Sequence, residues 1–215
     1  MRIVSWNMNK RKSGCWEWLL DQHSPDYVMA QEASPLPEGL DATVRTTTKK
    51  SNRTVFYSKN QSHEKIKMEY DEGMGILVTR YSEIYFINIY ANLDFTPVDP
   101  PLLGYIAKFV SHVRRRYGAE NIIIAGDFND WHQRLHRRFL NLDLKEAFCE
   151  QYGRPVKSFP SKRPLLPLDR VYFRGLTLRH AQLLHGEPWE SLSDHCALYA
   201  EFELPGELNA AGGLK

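Results

Sequence analysis

The chain of 215 residues is long enough to bury one domain core, and a second domain would be small. Its 42% hydrophobic and 25% charged residues are ordinary for a globular protein, which argues against a disordered or fibrous chain. The formal net charge of +2 provides no global field toward nucleic acid or a membrane, so any basic binding surface must be local.

Three cysteines, Cys15, Cys149 and Cys196, lie far apart and none belongs to a CxxC pair. Such an odd and sparse set argues against a disulfide framework and against a thiolate zinc site. No apolar run approaches the ~20 residues that cross a bilayer, and the first residues lack a secretory signal pattern. We therefore expect a reduced, cytoplasmic setting, no transmembrane segment and no obligate protein partner.

The first 32 residues predict two strands separated by a short helix. Residues 2–7 predict the first strand, which ends in a polar and basic loop. Trp16, Leu19 and Leu20 fit one face of a helix. Residues 27–32 predict a second strand that ends in Gln and Glu. Both strands therefore end on amide or carboxylate side chains.

The middle of the chain predicts a β region followed by a helix. Three segments are rich in β-branched and aromatic residues and predict strands, namely residues 54–57, 76–79 and 84–90. Asp99-Pro100-Pro101 then signals the start of an amphipathic helix. Its apolar positions are Leu102, Ile106, Phe109, Val113 and Tyr117. Arg114, Arg115 and Arg116 end this helix, where cations favour the helix dipole, so a structural role is preferred over a binding role.

Residues 122–125 predict a buried strand, because four apolar residues precede a cluster of Gly, Asp and Asn. Asp127, Asn129 and Asp130 follow its end. Polar groups at the end of a buried strand stand on a rigid element, as a catalytic site requires. The alternative is a strand-ending turn in which Asp127 or Asn129 bonds its own backbone.

The last third of the chain predicts one helix and three strands. Leu135, Phe139 and Leu140 suggest the helix, and residues 168–173 and 176–184 predict two strands that pair with each other. A final strand covers residues 196–204. The domain prediction is thus a single unit over residues 1–204, followed by a flexible tail over 205–215.

Five segments at predicted strand ends carry the same kind of chemistry. Their polar residues are Asn7, Glu32, Asp127 with Asn129, Asp169, and Asp194 with His195. If the sheet collects these ends at one edge, several carboxylates and amides meet an imidazole. Such a set suits a hard divalent cation such as Mg²⁺, and it does not suit a structural zinc ion.

These segments, in this order, resemble the endonuclease/exonuclease/phosphatase superfamily, and in particular its short bacterial members. That superfamily includes the DNase I-like nucleases, exonuclease III-like AP endonucleases, sphingomyelinases and inositol-polyphosphate 5-phosphatases. The stretches that carry the resemblance are Ser5-Trp6-Asn7, Gln31-Glu32, Gly126-Asp127-Phe128-Asn129, Leu168-Asp169 and Ser193-Asp194-His195. The resemblance implies a four-layer α/β sandwich of two central mixed β-sheets flanked by helices. It also implies hydrolysis of phosphate esters with Mg²⁺ or Mn²⁺.

The resemblance also implies roles for individual residues. Glu32 matches the principal metal ligand, Asn7 the amide beside the metal and the phosphate, and Asp194 an acid near the metal. Asp127 matches the carboxylate that orients and deprotonates the attacking water. Asn129 matches the residue that holds this carboxylate and the phosphate.

The same resemblance implies a catalytic dyad. His195 matches the imidazole that binds the phosphoryl oxygen, and Asp169 matches the carboxylate that fixes its tautomer. Tyr90 stands where AP endonucleases have Tyr and many other members have His, so it is either a catalytic residue or an ordinary strand aromatic. Asn92 and Arg134 are assigned, with Asn7, to phosphate binding.

The substrate is less constrained than the chemistry. Cations follow the Asp127 loop and could bind a nucleic-acid backbone or the head group of a phospholipid or inositol phosphate. These residues are His132, Arg134, His136, Arg137 and Arg138, of which the histidines are expected to be solvated rather than ligands. Trp131 and Trp189 either flank the site or pack in the core. We expect a phosphodiesterase or nuclease with nucleic acid as the favoured substrate; a catalytically silent binding module is disfavoured.

Overall fold

The protein is described here by a computed structural model, which defines residues 1–10, 14–40, 44–45, 54–59, 64–65, 75–91 and 100–204. Within these ranges the strands are β1 (Arg2–Asn7), β2 (Tyr27–Gln31), β3 (Val44–Arg45), β4 (Val55–Ser58), β5 (Glu64–Lys65), β6 (Gly75–Tyr81), β7 (Ile84–Tyr90), β8 (Asn121–Asp127), β9 (Lys145–Glu146), β10 (Asp169–Arg174), β11 (Thr177–Leu184) and β12 (Ala197–Glu203). The helices are α1 (Cys15–His23), α2 (Pro100–Tyr117), α3 (Arg134–Leu140), α4 (Ala147–Tyr152) and α5 (Trp189–Leu192).

The strands form two six-stranded sheets. The first, sheet A, has the order β11-β12-β1-β2-β4-β3, and the second, sheet B, has the order β5-β6-β7-β8-β10-β9. One pair in each sheet is parallel, β1 with β2 and β7 with β8, and the other strand pairs are antiparallel. Each parallel pair is joined through a helix, α1 or α2, because parallel neighbours need a long crossover.

Three apolar clusters separate four layers. One joins α1 and α5 to the outer face of sheet A, the second lies between the two sheets, and the third joins α2 and α3 to the outer face of sheet B. The strand alternation produces this arrangement. In β8, for example, Ile122 and Ile124 pack in the cluster of α2 and α3, whereas Ile123 and Ala125 pack between the sheets. The predicted four-layer α/β sandwich is confirmed.

Buried side chains also link the two sheets through polar contacts. Gln31, the last residue of β2, donates from Nε2 to Oδ1 of Asn88 on β7 at 2.7 Å. Asn88 in turn donates to the carbonyl groups of Ala30 and Val55 at 3.1 and 3.0 Å. Both side chains are fully buried. Because a buried amide must satisfy its hydrogen bonds, these contacts hold one sheet in a defined position over the other.

The predicted pairing of residues 168–173 with 176–184 was wrong. Strand β10 lies in sheet B between β8 and β9, so both of its edges are occupied. Strand β11 instead pairs with β12 in sheet A. A short connection between two strands predicts a hairpin only when the first strand has a free edge. The sequence did not reveal that β9 pairs with the second edge of β10.

Several predictions fall on residues outside those that the structure describes. Asn92, Asp99 and the tail over residues 205–215 are among them. The short elements β3, β5, β9, α4 and α5 were not predicted. In the described residues, no helix is long and apolar enough to cross a bilayer.

Candidate active site

The strand registers bring the predicted polar residues to one edge of the sandwich. Asn7 at the end of β1 lies beside Gln31 at the end of β2. Tyr90 at the end of β7 lies beside Asp127 at the end of β8, and Asp169 at the start of β10 lies on the other side of Asp127. Parallel strands end at the same edge, and the antiparallel strand begins there, so chain direction alone explains this convergence.

A cleft opens at this edge. One half of its lining is polar and the other half is apolar. The lining residues are Glu32, Tyr90, Asp127, Asn129, Trp131, Phe159, Leu166, Leu168, Asp194 and His195.

The Asp127 carboxylate lies at the bottom of the cleft and is 2% exposed. Its Oδ2 accepts a hydrogen bond from Nδ2 of Asn7 at 3.0 Å, and its Oδ1 accepts one from the backbone N–H of Asn129 at 3.0 Å. The strand runs unusually close to β7 here, since a Cβ on Gly126 would lie 1.8 Å from the carbonyl oxygen of Ile89. Gly126 has φ of 148°, a conformation that glycine adopts without cost. The close approach of the two strands and the backbone conformation therefore require a glycine before Asp127.

Glu32 lies across the cleft from Asp127 and is half-buried. Its Oε1 accepts from the Tyr90 hydroxyl at 2.6 Å and from Nδ2 of Asn7 at 3.4 Å. Its Oε2 lies 3.3 Å from Nζ of Lys10. Asn7 thus donates to both Glu32 and Asp127, and its own Oδ1 accepts from the backbone N–H of Asn9 at 3.0 Å.

His195 and Asp169 form a buried pair, with Nδ1 of His195 2.9 Å from Oδ2 of Asp169. Ser158 donates its hydroxyl proton to the same Oδ2 at 2.6 Å and accepts from the backbone N–H of Asp169 at 3.0 Å. The other ring nitrogen, Nε2, faces Oδ2 of Asp127 at 3.9 Å. The imidazole is therefore held between two carboxylates.

This placement shifts the pKa values of both the imidazole and Asp127. Burial raises the pKa of the Asp127 carboxyl to about 7, and Asp169 adds to the rise while His195 opposes it. For His195, burial lowers the pKa, but the carboxylates of Asp169 and Asp127 outweigh that effect and raise it to about 10. At neutral pH the ring is therefore an imidazolium, which suits a group that stabilises an anionic phosphoryl oxygen.

The residues of the cleft fit a hard divalent cation. Oδ1 of Asp194 is buried and has no hydrogen-bond partner among the described residues. Together with the Glu32 carboxylate it offers oxygen ligands of the kind that Mg²⁺ and Mn²⁺ prefer. Asp127, Asp169 and His195 also come within 4.8 Å of one another, but these three are buried and contact one another. We therefore place the candidate metal position at Glu32 and Asp194.

Two serines that position the dyad were not predicted. Besides Ser158, the hydroxyl of Ser193 donates to the backbone carbonyl of Asn7 at 2.7 Å and accepts from the backbone N–H of His195 at 3.2 Å. Ser193 had been noted only as part of the Ser-Asp-His stretch. Ser158 lies 11 residues before Asp169 in a loop, and no local pattern marks it.

Some predicted residues lie outside the lining of the cleft. Arg134 is the first residue of α3 and has an exposed side chain, so its assignment to phosphate binding stays a prediction. Trp131 lines the cleft, whereas Trp189 packs in the core against Trp6 with a ring separation of 5.0 Å. His136 is half-buried and its Nδ1 lies 3.2 Å from the Tyr172 hydroxyl, so it is not the solvated residue expected.

Residues 4–195 match the Endonuclease/Exonuclease/phosphatase family, which is most of the chain. The chain belongs to this family. The resemblance found in the sequence to the endonuclease/exonuclease/phosphatase superfamily is confirmed.

The chain is also similar to bacterial proteins. The chain is 37% identical to the uncharacterized protein YbhP of Escherichia coli (strain K12) over 103 residues, which are 47% of this chain and 40% of YbhP. The match thus spans less than half the length of that relative. A UPF0294 protein of Vibrio campbellii is 23% identical over 231 residues, with 95% of this chain and 78% of that protein covered.

Solved structures show the same fold at low identity. The 3′ phosphatase NExo from Neisseria, bound to a product DNA hairpin, matches with a TM-score of 0.72 at 16% identity, and the match covers 95% of this chain and 100% of NExo. D. rerio TDP2, complexed with a single-strand DNA product, matches with a TM-score of 0.66 at 15% identity, and the match covers 95% of this chain and 99% of TDP2.

Proposed function

We propose that this family member is a Mg²⁺- or Mn²⁺-dependent phosphodiesterase that acts on nucleic acid. The observation that carries the proposal is the arrangement in one cleft of an acceptor carboxylate, Asp127, beside the His195–Asp169 pair, with Glu32 opposite. A phosphate ester that enters the cleft would meet a base, a cation and a metal-binding carboxylate together.

Glu32 and Asp194, with Asn7 beside them, are the residues that would hold the metal ion. When bound, the ion supplies charge neutralisation on the phosphate and lowers the pKa of a coordinated water molecule.

Asp127 is the proposed base. Its carboxylate is oriented from two sides by Asn7 and by the backbone of Asn129, so the free lone pairs face the cleft. A pKa of about 7 is well matched to accepting a proton from water at neutral pH. The water oxygen bonds to phosphorus, its proton passes to Asp127, and the ester P–O bond breaks.

His195 is the proposed donor to the phosphoryl oxygen. Asp169 holds Nδ1, so the protonated Nε2 faces the cleft and can donate to an oxygen that gains negative charge. Asn129 and Tyr90 line the same cleft and are assigned to the phosphate and the leaving oxygen. The leaving oxygen takes up a proton from solvent water as the P–O bond breaks, and Asp127 afterwards returns its proton to solvent.

Two features favour nucleic acid as the substrate. The apolar half of the cleft, formed by Trp131, Phe159, Leu166 and Leu168, offers flat and apolar contacts for a sugar or base next to the phosphate. Residues 100–117 and 131–142, which contain α2 and α3, carry seven Lys or Arg and no Asp or Glu. The remaining residues hold 21 basic and 26 acidic side chains, a formal charge of −5, so the net positive charge lies on one helical layer. NExo and TDP2, which share the fold, were solved with DNA products.

A phospholipid or inositol phosphate head group is the second candidate substrate. Tyr105 and Leu140, which are 38% and 50% exposed, lie on the same cationic layer as the arginines. Basic residues with exposed aromatic and aliphatic side chains are typical of proteins that bind anionic membrane surfaces.

The test is hydrolysis by the purified protein of supercoiled plasmid, single-stranded DNA, single-stranded RNA and a phospholipid, each with Mg²⁺, with Mn²⁺ and with excess EDTA. We expect cleavage of nucleic acid that needs the metal and is lost in Glu32→Gln. Arg154→Glu, at an exposed residue that does not line the cleft, is the control variant. Turnover in EDTA would contradict the metal requirement, and phospholipid hydrolysis without nucleic-acid cleavage would contradict the substrate.

A further inference from the structure

Lys10 reaches the carboxylate that is proposed to bind the metal ion. Its Nζ lies 3.3 Å from Oε2 of Glu32, while Oε1 is occupied by the Tyr90 hydroxyl. The Lys10 side chain is 49% exposed and the Glu32 side chain 15% exposed. An ammonium group thus lies on the oxygen of Glu32 that Tyr90 leaves open.

The backbone around Lys10 is held in an unusual conformation. Asn9, Lys10 and Glu32 have φ of 48°, 54° and 44°, in the left-handed region that non-glycine residues seldom adopt. The backbone N–H of Lys10 donates to the carbonyl of Glu32 at 2.8 Å, and the backbone N–H of Asn9 donates to Oδ1 of Asn7 at 3.0 Å. Strained residues persist where their surroundings impose them, and they cluster at functional sites. The strain here fixes the base of the Lys10 side chain beside Glu32.

Electrostatics decides what happens to this pair when a metal ion binds. A divalent cation on Glu32 repels an ammonium group a few ångströms away, so each of the two cations weakens the binding of the other to the carboxylate. The Lys10 side chain is long and flexible and is half-exposed, so it can leave while its backbone stays in place. Because Glu32 lines the cleft, a phosphate bound there would offer the freed ammonium group a new anionic partner.

We propose that Lys10 is an exchangeable cation of the active site: it neutralises Glu32 in the metal-free protein and binds the substrate phosphate when the metal ion is present. The inference rests on the proposed metal-dependent function of the same cleft. It assigns to Lys10 two measurable effects of opposite sign, since the lysine weakens metal binding and strengthens binding of phosphate.

The first experiment measures Mn²⁺ affinity by titration calorimetry, without substrate. Exposed ion pairs are worth little, so removing the competing charge in Lys10→Met should tighten Mn²⁺ binding by about 1.5- to 5-fold. Lys10→Arg keeps the charge and should bind Mn²⁺ with the affinity of the wild type. Lys145→Met is the matched control, because Lys145 forms an exposed ion pair with Glu150 at 2.6 Å.

The second experiment measures binding of a short single-stranded oligonucleotide with a terminal phosphate, in Ca²⁺ and at several salt concentrations. Lys10→Met should weaken binding and reduce the salt slope by about one, the value for a single phosphate that is no longer neutralised. Lys145→Met should leave both quantities unchanged. A plain surface ion pair would move neither the Mn²⁺ affinity nor the salt slope.

The outcomes separate this inference from the proposed function. If the wild type binds Mn²⁺ and loses it in Glu32→Gln, but Lys10→Met binds Mn²⁺ and oligonucleotide like the wild type, the role of Lys10 is wrong and the metal site stands. If the wild type binds no Mn²⁺, the proposed metal-dependent function fails, and the exchange at Lys10 fails with it.

Discussion

The Asp169 carboxylate receives both the Ser158 hydroxyl and the His195 ring on one oxygen, Oδ2. Its other oxygen is buried and has no hydrogen-bond partner among the described residues. A carboxylate tied to the imidazole in this way fixes both the orientation of the ring and the nitrogen that carries its proton. Single residues at this site thus act as a unit.

A double-mutant comparison tests that unit. Asp169→Asn and His195→Ala should each reduce kcat by roughly 10²–10⁴, the range for a positioned acid or base. The double variant should lose far less than the product of the two, because either change already disables the pair. Losses that multiply would show that the two residues act independently. The measurement is kcat on the best substrate, with circular dichroism as the check on folding.

The same imidazole predicts how stability depends on pH. The pKa of His195 in the fold, about 10, lies above its ordinary value of 6.5, so protonation favours the folded state. Its contribution is complete below pH 6.5 and is lost as the pH rises through about 10. Urea unfolding between about pH 7 and 9 should therefore show a fall in the free energy of unfolding, and His195→Gln should flatten it. An equally steep fall in His195→Gln would assign the effect to other groups.

At the scale of elements, one acid in the loop after β8 has a structural role. Asp130 is 4% exposed, and its two oxygens accept from the backbone N–H groups of Arg134 and Leu135 at 3.0 and 2.7 Å. It therefore caps the first turn of α3, and it ties this helix to the loop that carries Asp127 and Asn129. The second acid of the Gly-Asp-Phe-Asn-Asp stretch thus supports the loop from outside the cleft.

Removal of this cap should mainly lower the free energy of unfolding of the protein. Asp130→Ala should lower the free energy of unfolding by about 1–2 kcal/mol, the upper range for a helix cap. Asp130→Asn keeps an acceptor oxygen and should lose less. Chemical denaturation of the two variants checks the prediction. A loss in Asp130→Asn as large as that in Asp130→Ala would show that charge, rather than capping, is what Asp130 supplies.

At the scale of the whole molecule, the net charge of +2 hides an uneven distribution. The segments of α2 and α3 carry seven basic and no acidic residues, while the remaining residues sum to −5. The capping contact of Asp130 places α3 directly after the loop that carries Asp127 and Asn129. The cationic layer therefore begins next to the cleft.

Charge reversal tests this layer. Arg137→Glu combined with Arg138→Glu should weaken DNA binding and lower the slope of log affinity against log salt by about two, one for each phosphate that is no longer neutralised. Lys59→Glu with Arg154→Glu reverses two exposed charges elsewhere and should change little. Fluorescence anisotropy of a labelled oligonucleotide in Ca²⁺ measures both. An equal loss of DNA affinity in the two double variants would show that net charge alone, and not the position of these arginines, determines binding.

Local patterns were sufficient for most of the long elements. The strands β1, β2, β7, β8 and β12 and the helices α1, α2 and α3 were predicted within a few residues. Continuous runs of apolar, β-branched and aromatic residues mark the strands that are buried on both faces, and periods of 2 and 3.6 mark β12 and the helices. Several short elements, such as the two-residue strand β9 and the six-residue helix α4, were missed. Such short segments contain too few residues to show a period.

The candidate site residues were noticed in the sequence because each stands at the end or the start of a predicted strand, and the family resemblance implied their roles. Strand direction then brings these ends to one edge, so Asn7, Asp127 and Asp169 meet although they come from distant parts of the chain. The partners that fix them were not visible. Ser158 reaches Asp169 from a loop, and Lys10 reaches Glu32 through a left-handed turn.

The sequence by itself determined most of the long strands and helices and the family, since apolar runs and short motifs are properties of local segments, and the four-layer sandwich was implied by the family resemblance. Only the tertiary structure showed which strand edges were free to pair. Because β9 and β8 occupy both edges of β10 in sheet B, β11 pairs with β12 in sheet A. It also decided that the Asp127 carboxylate and the His195 ring lie 3.9 Å apart in a buried place. Strand pairing and electrostatic shifts both depend on which groups from distant segments come within a few ångströms, and no local pattern encodes that distance.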